Sequence, residues 1–303
     1  MKVIGLTELL GYSKQSYYKR IKLEERKDIT ESLVLSLVKE KRKLWKKGSG
    51  RNLHASLQEE FKRHNIKLGR DKFFEILRGN GLLVKKKQRR TRTTFSYHHF
   101  HKYPNLIKEL RVERVNQVIV TDITYLYLGD SDSFAYLFLV TDLFSRKILG
   151  FKVSDNLSSK SAVEALIMAL NNMSDIDETI HHSDRGIQYC SHEYTGILKK
   201  YGIKISMTEN SDPLENAVAE RINKTVKEEF TEEKQISFSN LREAKIMISQ
   251  IVKFYNDERP HRSLEMFTPS MAYQMNRELK RKWKNYYTNY SKLNDNTLLS
   301  LVE

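Results

Sequence analysis

Val118-Ile119-Val120-Thr121-Asp122-Ile123-Thr124-Tyr125-Leu126-Tyr127-Leu128 is the stretch on which the reading of this chain turns. β-Branched and aromatic residues fit a pleated, half-buried surface, and here they surround a single acid, Asp122. Two more such runs follow across short polar connections, Phe134 to Asp142 and Lys147 to Val153, so three consecutive strands form an antiparallel meander. A largely apolar helix is expected from Ser161 to Leu170, then a strand from Glu178 to His182 and a helix from Glu193 to Tyr201. A strand from Ile203 to Met207 and a long helix from Ala217 to Phe230 complete the series. The order βββαβαβα predicts a mixed sheet flanked by helices, an α/β or α+β layout. One more long helix, Asn240 to Tyr255, precedes a tail from Lys280 that mixes Lys and Arg with Trp283, Tyr286, Tyr287 and Tyr290.

Upstream, the periodicity becomes helical. Residues 1–27 read as two short helices, Thr7 to Leu10 and Ser13 to Ile21, with Ser13 as an N-cap. An amphipathic helix is expected from Glu31 to Lys47, with Leu33, Leu37, Leu44 and Trp45 apolar, broken by Gly48 and Gly50. Asn52 to His64 would bury Leu53, Leu57 and Phe61; Asp71 to Arg78, after a turn at Ile66 to Gly69, would bury Phe73, Phe74 and Leu77. Two short helices joined by a tight turn, with Arg70, Lys72 and Arg78 on the second, resemble a helix-turn-helix unit, although other small helical bundles share the pattern. Lys85, Lys86, Lys87, Arg89, Arg90 and Arg92 follow as a basic linker suited to neutralising phosphates, or as a merely solvated charge run. The expected domains are therefore an N-terminal helical remnant (1–27), a helix-turn-helix-like domain (28–84), a basic linker (85–112), an α/β core (113–275) and a basic, aromatic tail (276–303).

Charge supports that division. The net charge is +15, but residues 1–103 hold 27 Lys and Arg against 10 Asp and Glu, a net of +17. Residues 104–303 hold 26 against 28, a net of −2. Such asymmetry favours a polyanion-binding arm on a near-neutral body over basic residues that serve solubility alone. No apolar run approaches the roughly 20 residues of a membrane span, and Met1-Lys2-Val3 opens no secretory signal. A single cysteine, Cys190, excludes an internal disulfide framework and a cysteine-rich zinc site, with a reducing cytoplasm as the default compartment.

Three carboxylates are the candidate chemistry. An acid within a buried strand costs several kcal/mol unless it is paired or binds a metal, so Asp122 is either a ligand or the partner of a buried arginine. Asp184 lies where a strand gives way to a turn, in His181-His182-Ser183-Asp184-Arg185-Gly186, and suits a turn former as well as a ligand. On the helix capped by Asn216, Val218, Ile222, Val226 and Phe230 form a buried stripe. Glu220 falls about 200° around from Val218 and so points off that stripe. Lys224 and Lys227 share its face, which reads either as a solvated stripe or as a ligand with phosphate-gripping cations beside it. His181 and His182 lack the spacing of a zinc site and read as structural or phosphate-orienting.

Thr121-Asp122-Ile123-Thr124-Tyr125, the segment from His182 to Tyr189, and Asn216-Ala217-Val218-Ala219-Glu220 together resemble the Asp-Asp-Glu signature of bacterial insertion-sequence transposases. More narrowly, they resemble the second-reading-frame product with a retroviral-integrase-like core. Tyr255-Asn256, Arg259-Pro260-His261, Ser263-Leu264 and Thr268-Pro269 resemble that family's closing motif, and Lys227 its basic position after the glutamate. Gly50-Arg51 and Lys102-Tyr103-Pro104-Asn105 extend the likeness upstream. One departure is Ile119, where the family usually carries a tryptophan; it bears on packing and leaves ligation untouched.

The resemblance implies a ribonuclease-H-like fold and two Mg²⁺ ions, or Mn²⁺, held by Asp122, Asp184 and Glu220. It implies hydrolysis at the element's ends and transfer of the freed 3′-hydroxyl strand into target DNA. The implied partners are DNA (terminal inverted repeats and target), further copies of this chain on that DNA, and an upstream-frame product or fusion. The implied location is the bacterial cytoplasm at the nucleoid. Arg185, Lys224 and Lys227 are the expected terminal DNA contacts. Two competing readings are a DNA-binding repressor that kept the fold without its chemistry, and a ribonuclease-H-type nuclease on RNA–DNA hybrids. Retention of all three acids disfavours the first; the basic N-terminal region and the closing motif disfavour the second.

Overall fold

A computed structural model describes residues 13–84, 99–209, 216–230 and 237–275. The expected helix at Thr7 to Leu10, the basic run from Lys85 to Arg92 and the aromatic tail lie outside the described residues.

Helix α1 (Lys14–Leu44) replaces two expected helices with one, so the proposed boundary at residues 27 and 28 falls inside continuous helix. Nothing between Ile21 and Glu31 is a glycine or proline, and Ser13 caps the start by accepting from the Ser16 N–H. The buried positions are Val34, Val38 and Trp45, while Leu37 and Leu44 are only partly covered. Helices α2 (Gly50–Ser56) and α3 (Gln58–Arg63) divide the expected second helix at Leu57; α4 (Arg70–Gly79) follows the turn. Leu53, Leu57, Phe61, Phe73 and Leu77 are buried as expected, with Phe74 partly covered.

The sheet is built on β1 (Val118–Leu128), with β2 (Ser133–Asp142) and β3 (Ile148–Ser154) running antiparallel in succession. Helix α5 (Ser159–Asn171) leads to β4 (Ile180–Ser183), parallel to β1 on its other side. Helices α6 (Ile187–Cys190) and α7 (His192–Lys200) lead to β5 (Lys204–Met207), parallel to β4. Helix α8 (Ala217–Phe230), a two-residue β6 (Ser237–Phe238) that pairs with the end of β1, and α9 (Leu241–Asp257) follow. A 3₁₀ turn (Arg262–Leu264) and α10 (Pro269–Gln274), capped by Thr268 with Pro269 in its first turn, close the described chain. The strand order is β3-β2-β1-β4-β5, with β6 on β1. This is the expected mixed sheet flanked by helices and preceded by a helical region.

Period-two alternation decides what each face meets. Ile119, Phe138, Val140 and Leu149 pack with Leu166, Tyr194 and Leu198 on the α5–α7 side, so Ile119 fills a core position. Gly150 lets α5 approach closely: a Cβ there would stand 2.2 Å from the Ala165 carbonyl oxygen. On the opposite face, Leu126, Leu128, Leu137 and Leu139 join Ile222, Val226, Phe230, Ile248 and Phe254. That core is continuous with Val34, Val38, Trp45, Leu53 and Phe73, so the N-terminal helices share an interior with α8 and α9. No helix among the described residues is long and apolar enough to cross a membrane.

Candidate active site

Asp122 belongs to the even-numbered face of β1, with Val118, Val120, Leu126 and Leu128, and that face looks onto α8. The edge of β1 beside it is divided. Strand β4 pairs only with Val118 to Val120, and β6 only with Tyr127 and Leu128. Helix α8 is tied to the stretch between them: Asn216 Nδ2 donates to the Thr121 carbonyl (3.1 Å), and Asn223 Nδ2 donates to Asp122 Oδ2 (2.7 Å). Asp122 Oδ1 accepts from the Ile123 N–H (2.9 Å). Burial, then the charge of Asp184, pushes the Asp122 carboxyl up to about 7, with Glu220 adding a smaller push and the two donors opposing it.

Asp184 arrives through parallel register. Val120 is opposite His182; continued at the same offset, Asp184, one residue past the end of β4, falls level with Asp122, which feels its charge. Its Oδ1 accepts from the Gly186 N–H at 3.0 Å, so it forms the turn and joins the acid pair at once. A Cβ on Gly186 would come 3.0 Å from that same oxygen. Burial, then Asp184, pushes the Cys190 thiol up to about 11, with Lys102 and Arg185 opposing the shift.

Glu220 sits in the first turn of α8, exposed, while Ile222, Val226 and Phe230 are buried and Val218 is half-buried. Asn216 accepts the first helical bond, from the Glu220 N–H, through its carbonyl (3.1 Å). Its side chain docks on β1 rather than capping the helix, a departure from the expected N-cap geometry. Asp184 and Glu220 thus both lie within electrostatic reach of Asp122, although no three His, Cys, Asp or Glu side chains among the described residues are gathered tightly enough to hold one ion.

Below the acids lies a buried polar bed. His181 Nε2 meets Thr121 Oγ1 (3.3 Å) and the Tyr194 hydroxyl (2.9 Å). The rings of Tyr189 and Tyr194 pack edge to face at 5.3 Å. Burial, followed by Tyr194, Asp122 and Asp184, holds the Tyr189 hydroxyl in its neutral form. His182 Nδ1 meets Ser206 Oγ (2.8 Å), which also accepts from the Leu106 N–H. Both histidines are therefore structural supports. Asp142 is a buried carboxylate of another kind: it accepts from the Asn116 and Ser145 N–H groups and from Ser145 Oγ, closing the β2–β3 turn.

Two family models, each described as an integrase core domain, match residues 112–213 and 201–269. The insertion element IS600 31 kDa protein of Shigella sonnei is 30% identical over 270 residues, covering 88% of this chain and 96% of that protein. The chain belongs to the insertion-sequence transposase family with an integrase core. The transposase for insertion sequence element IS629 of Shigella sonnei is 30% identical over 197 residues, covering 65% of each chain. Among solved structures, the HTLV-2 integrase catalytic core domain aligns with a TM-score of 0.42 at 16% identity, covering 54% of this chain and all of that one.

The basic residues expected at DNA fall in several places on this family member. Arg70, Lys72 and Arg78 are exposed on α4, the first two paired with Asp71 (3.0 Å) and Glu75 (2.6 Å). Exposed pairs of this kind are worth roughly 0–1 kcal/mol, little enough to be exchanged for phosphate. Lys224 is exposed with Glu228 at 4.0 Å, Lys227 is half-buried, and Arg185 is half-buried near Asp184. Lys85, Lys86, Lys87, Arg89 and Arg90 lie outside the described residues. Sequence reasoning missed Asn223, and it quoted Tyr189 and Lys102 within motifs without giving them a role. Only the four-residue spacing of Asn223 from Ala219 on the covered side of α8 could have signalled the first.

Proposed function

We propose that this chain cuts the ends of an insertion element and joins the freed 3′-hydroxyl strand to target DNA, with Asp122, Asp184 and Glu220 as its catalytic carboxylates. One observation carries the reading: Asp122 feels two like-charged neighbours, and among the described residues no lysine or arginine is ion-paired with it. An ionised acid so placed needs a counter-charge, and an all-oxygen donor set suits a hard divalent cation. Asp122 and Asp184 would hold Mg²⁺ or Mn²⁺ together, with Glu220 completing the set. Such cations would supply Lewis acidity at the scissile phosphate and activate the attacking oxygen.

The chain's own side chains do the rest. Asn223 and the Ile123 N–H fix the Asp122 carboxylate, and the Gly186 N–H fixes Asp184. The water or 3′-hydroxyl oxygen would attack phosphorus in line, losing its proton as the opposite P–O3′ bond breaks and that 3′-oxygen leaves as a hydroxyl, without a covalent enzyme intermediate. Arg185, Lys224 and Lys227, with Lys102, would hold phosphates around the acids. The helical region with Arg70, Lys72 and Arg78, and the basic run Lys85, Lys86, Lys87, Arg89 and Arg90, would grip DNA farther out. Copies of this chain would act together on the terminal repeats, with an upstream-frame product or fusion as a further partner at the nucleoid.

The test is Mg²⁺-dependent nicking of a plasmid that carries the element's ends. Asp122→Asn and Glu220→Gln should each abolish cleavage while DNA binding survives. Undiminished cleavage by either variant rejects the assignment.

A further inference from the structure

Glu229, near the far end of the helix that bears Glu220, is held from three sides. Arg259 grips both carboxylate oxygens, Nε to Oε2 at 2.7 Å and Nη2 to Oε1 at 2.5 Å. Trp45, from the N-terminal helices, donates its indole N–H to Oε2 at 2.7 Å. The Lys47 N–H donates to the Glu229 carbonyl at 2.8 Å, closing the end of α8 with backbone from the N-terminal region.

The node is enclosed. Trp45 is fully buried, and Arg259 is 6% exposed. The guanidinium lies 6.0 Å from the Trp45 ring and 5.7 Å from the Tyr255 ring, and its Nη1 meets His261 Nε2 at 2.7 Å. Burial, then Arg259, keeps His261 neutral and able to accept that bond. The indole packs against Phe230 and Phe254, and a Cβ on Gly48 would come 2.5 Å from it. Lys41 adds a second link, to Glu258 at 2.8 Å and Glu60 at 3.5 Å.

Apolar contacts at Ile222, Val226 and Phe230 already hold α8 against the core, but such burial is non-directional. A two-pronged guanidinium–carboxylate grip is directional and sets both rotation and height. Glu229 is nine residues from Glu220, two and a half turns or roughly 13 Å along the helix. A helix is stiff over that length, so a change of setting at one end is delivered to the other.

We propose that Arg259 and Trp45 are positioning residues: acting through Glu229, they set the placement of Glu220 and tie the N-terminal helical region to the acid site. This rests on the reading that Glu220 works with Asp122 and Asp184.

The test uses the full chain with Arg259→Lys, which keeps the charge and loses the fork, and Trp45→Phe, which keeps an aromatic ring and loses the N–H. Mg²⁺ or Mn²⁺ alone is titrated while the melting temperature is followed, and plasmid nicking is measured across the same concentrations. Both variants should need about tenfold more metal for half the melting shift and for half-maximal nicking, with nicking largely recovered at saturating metal. A purely structural node would lower the metal-free melting temperature and leave the half-saturating concentration unmoved; that outcome overturns the proposal. If Arg259→Lys fails to fold, Trp45→Phe decides alone, since it leaves the Arg259–Glu229 pair in place. Glu220→Gln is the reference: if it changes neither metal response nor nicking, the reading of Glu220 has failed. If it impairs both while Arg259→Lys and Trp45→Phe do not, only the positioning role is lost.

Discussion

Asn223 donates its side-chain amide to Asp122 Oδ2 at 2.7 Å, joining the helix that bears Glu220 to the strand that bears the first acid. The two residues are 101 positions apart in sequence, and the bond spans the gap left on β1 between β4 and β6. It does two things. It orients one carboxylate, and it fixes how α8 crosses the sheet at the level of the acids.

Removing that donor should be felt in chemistry more than in stability. Asn223→Ala is expected to lower the nicking rate about 10- to 100-fold, the usual cost of losing the partner of a metal-binding carboxylate. Affinity for DNA should stay within about twofold, and unfolding free energy should drop by about 1 kcal/mol. Rate, gel-shift and urea-denaturation measurements on the same preparation check this; an unchanged nicking rate would remove Asn223 from the site.

His181 should shape acid stability. Burial, then the neighbouring His182, pushes its pKa from 6.5 down to about 3. The folded form therefore refuses a proton that the unfolded chain accepts. Stability from this residue is full above pH 6.5 and is lost progressively as the pH falls from there toward 3. Between pH 7 and 5 the loss is on the order of 2 kcal/mol for one such group. His181→Asn should shrink the difference between unfolding free energies at pH 7 and pH 5 by about that amount. It should also cost stability at pH 7, because Thr121 and Tyr194 lose a partner. An unchanged pH 7-to-5 difference would show that His181 does not titrate in this way.

Lys224 and Lys227 follow Glu220 by one and two helical turns, and each should neutralise about one phosphate. Replacing both with alanine is expected to flatten the plot of log affinity against log salt by about two units, with similar weakening on any DNA sequence. Filter binding at several salt concentrations reads the slope directly. An unaltered slope would place the DNA elsewhere.

Elements with strong local signals were legible from residues alone. The helix Ala217–Phe230 is found at its expected ends, because Ile222, Val226 and Phe230 repeat at helical spacing and Asn216 stands before them. The three antiparallel strands were equally plain in their β-branched and aromatic runs. Less was legible where the deciding contact is distant. Helix α1 runs unbroken from Lys14 to Leu44 with Val34 and Val38 inward, and Trp45, which caps its end, is buried against the distant Phe230 and Phe254. The short β6 exists only because the end of β1 offers it an edge.

The chain as written determined which residues can do chemistry: carboxylates on a strand, at a turn and on a helix, with charge gathered at one end. Folding alone decided that Asp122 feels the other two, since the parallel offset carries Asp184 level with it and a helix crossing brings Glu220 within its electrostatic reach. Folding also decided the fate of Arg259, which in sequence is one basic residue among many. Only the convergence of Trp45, Glu229 and Tyr255 encloses it. Residue type is a local property, whereas burial, like-charge repulsion and a two-pronged grip exist only between groups that the backbone has already brought together.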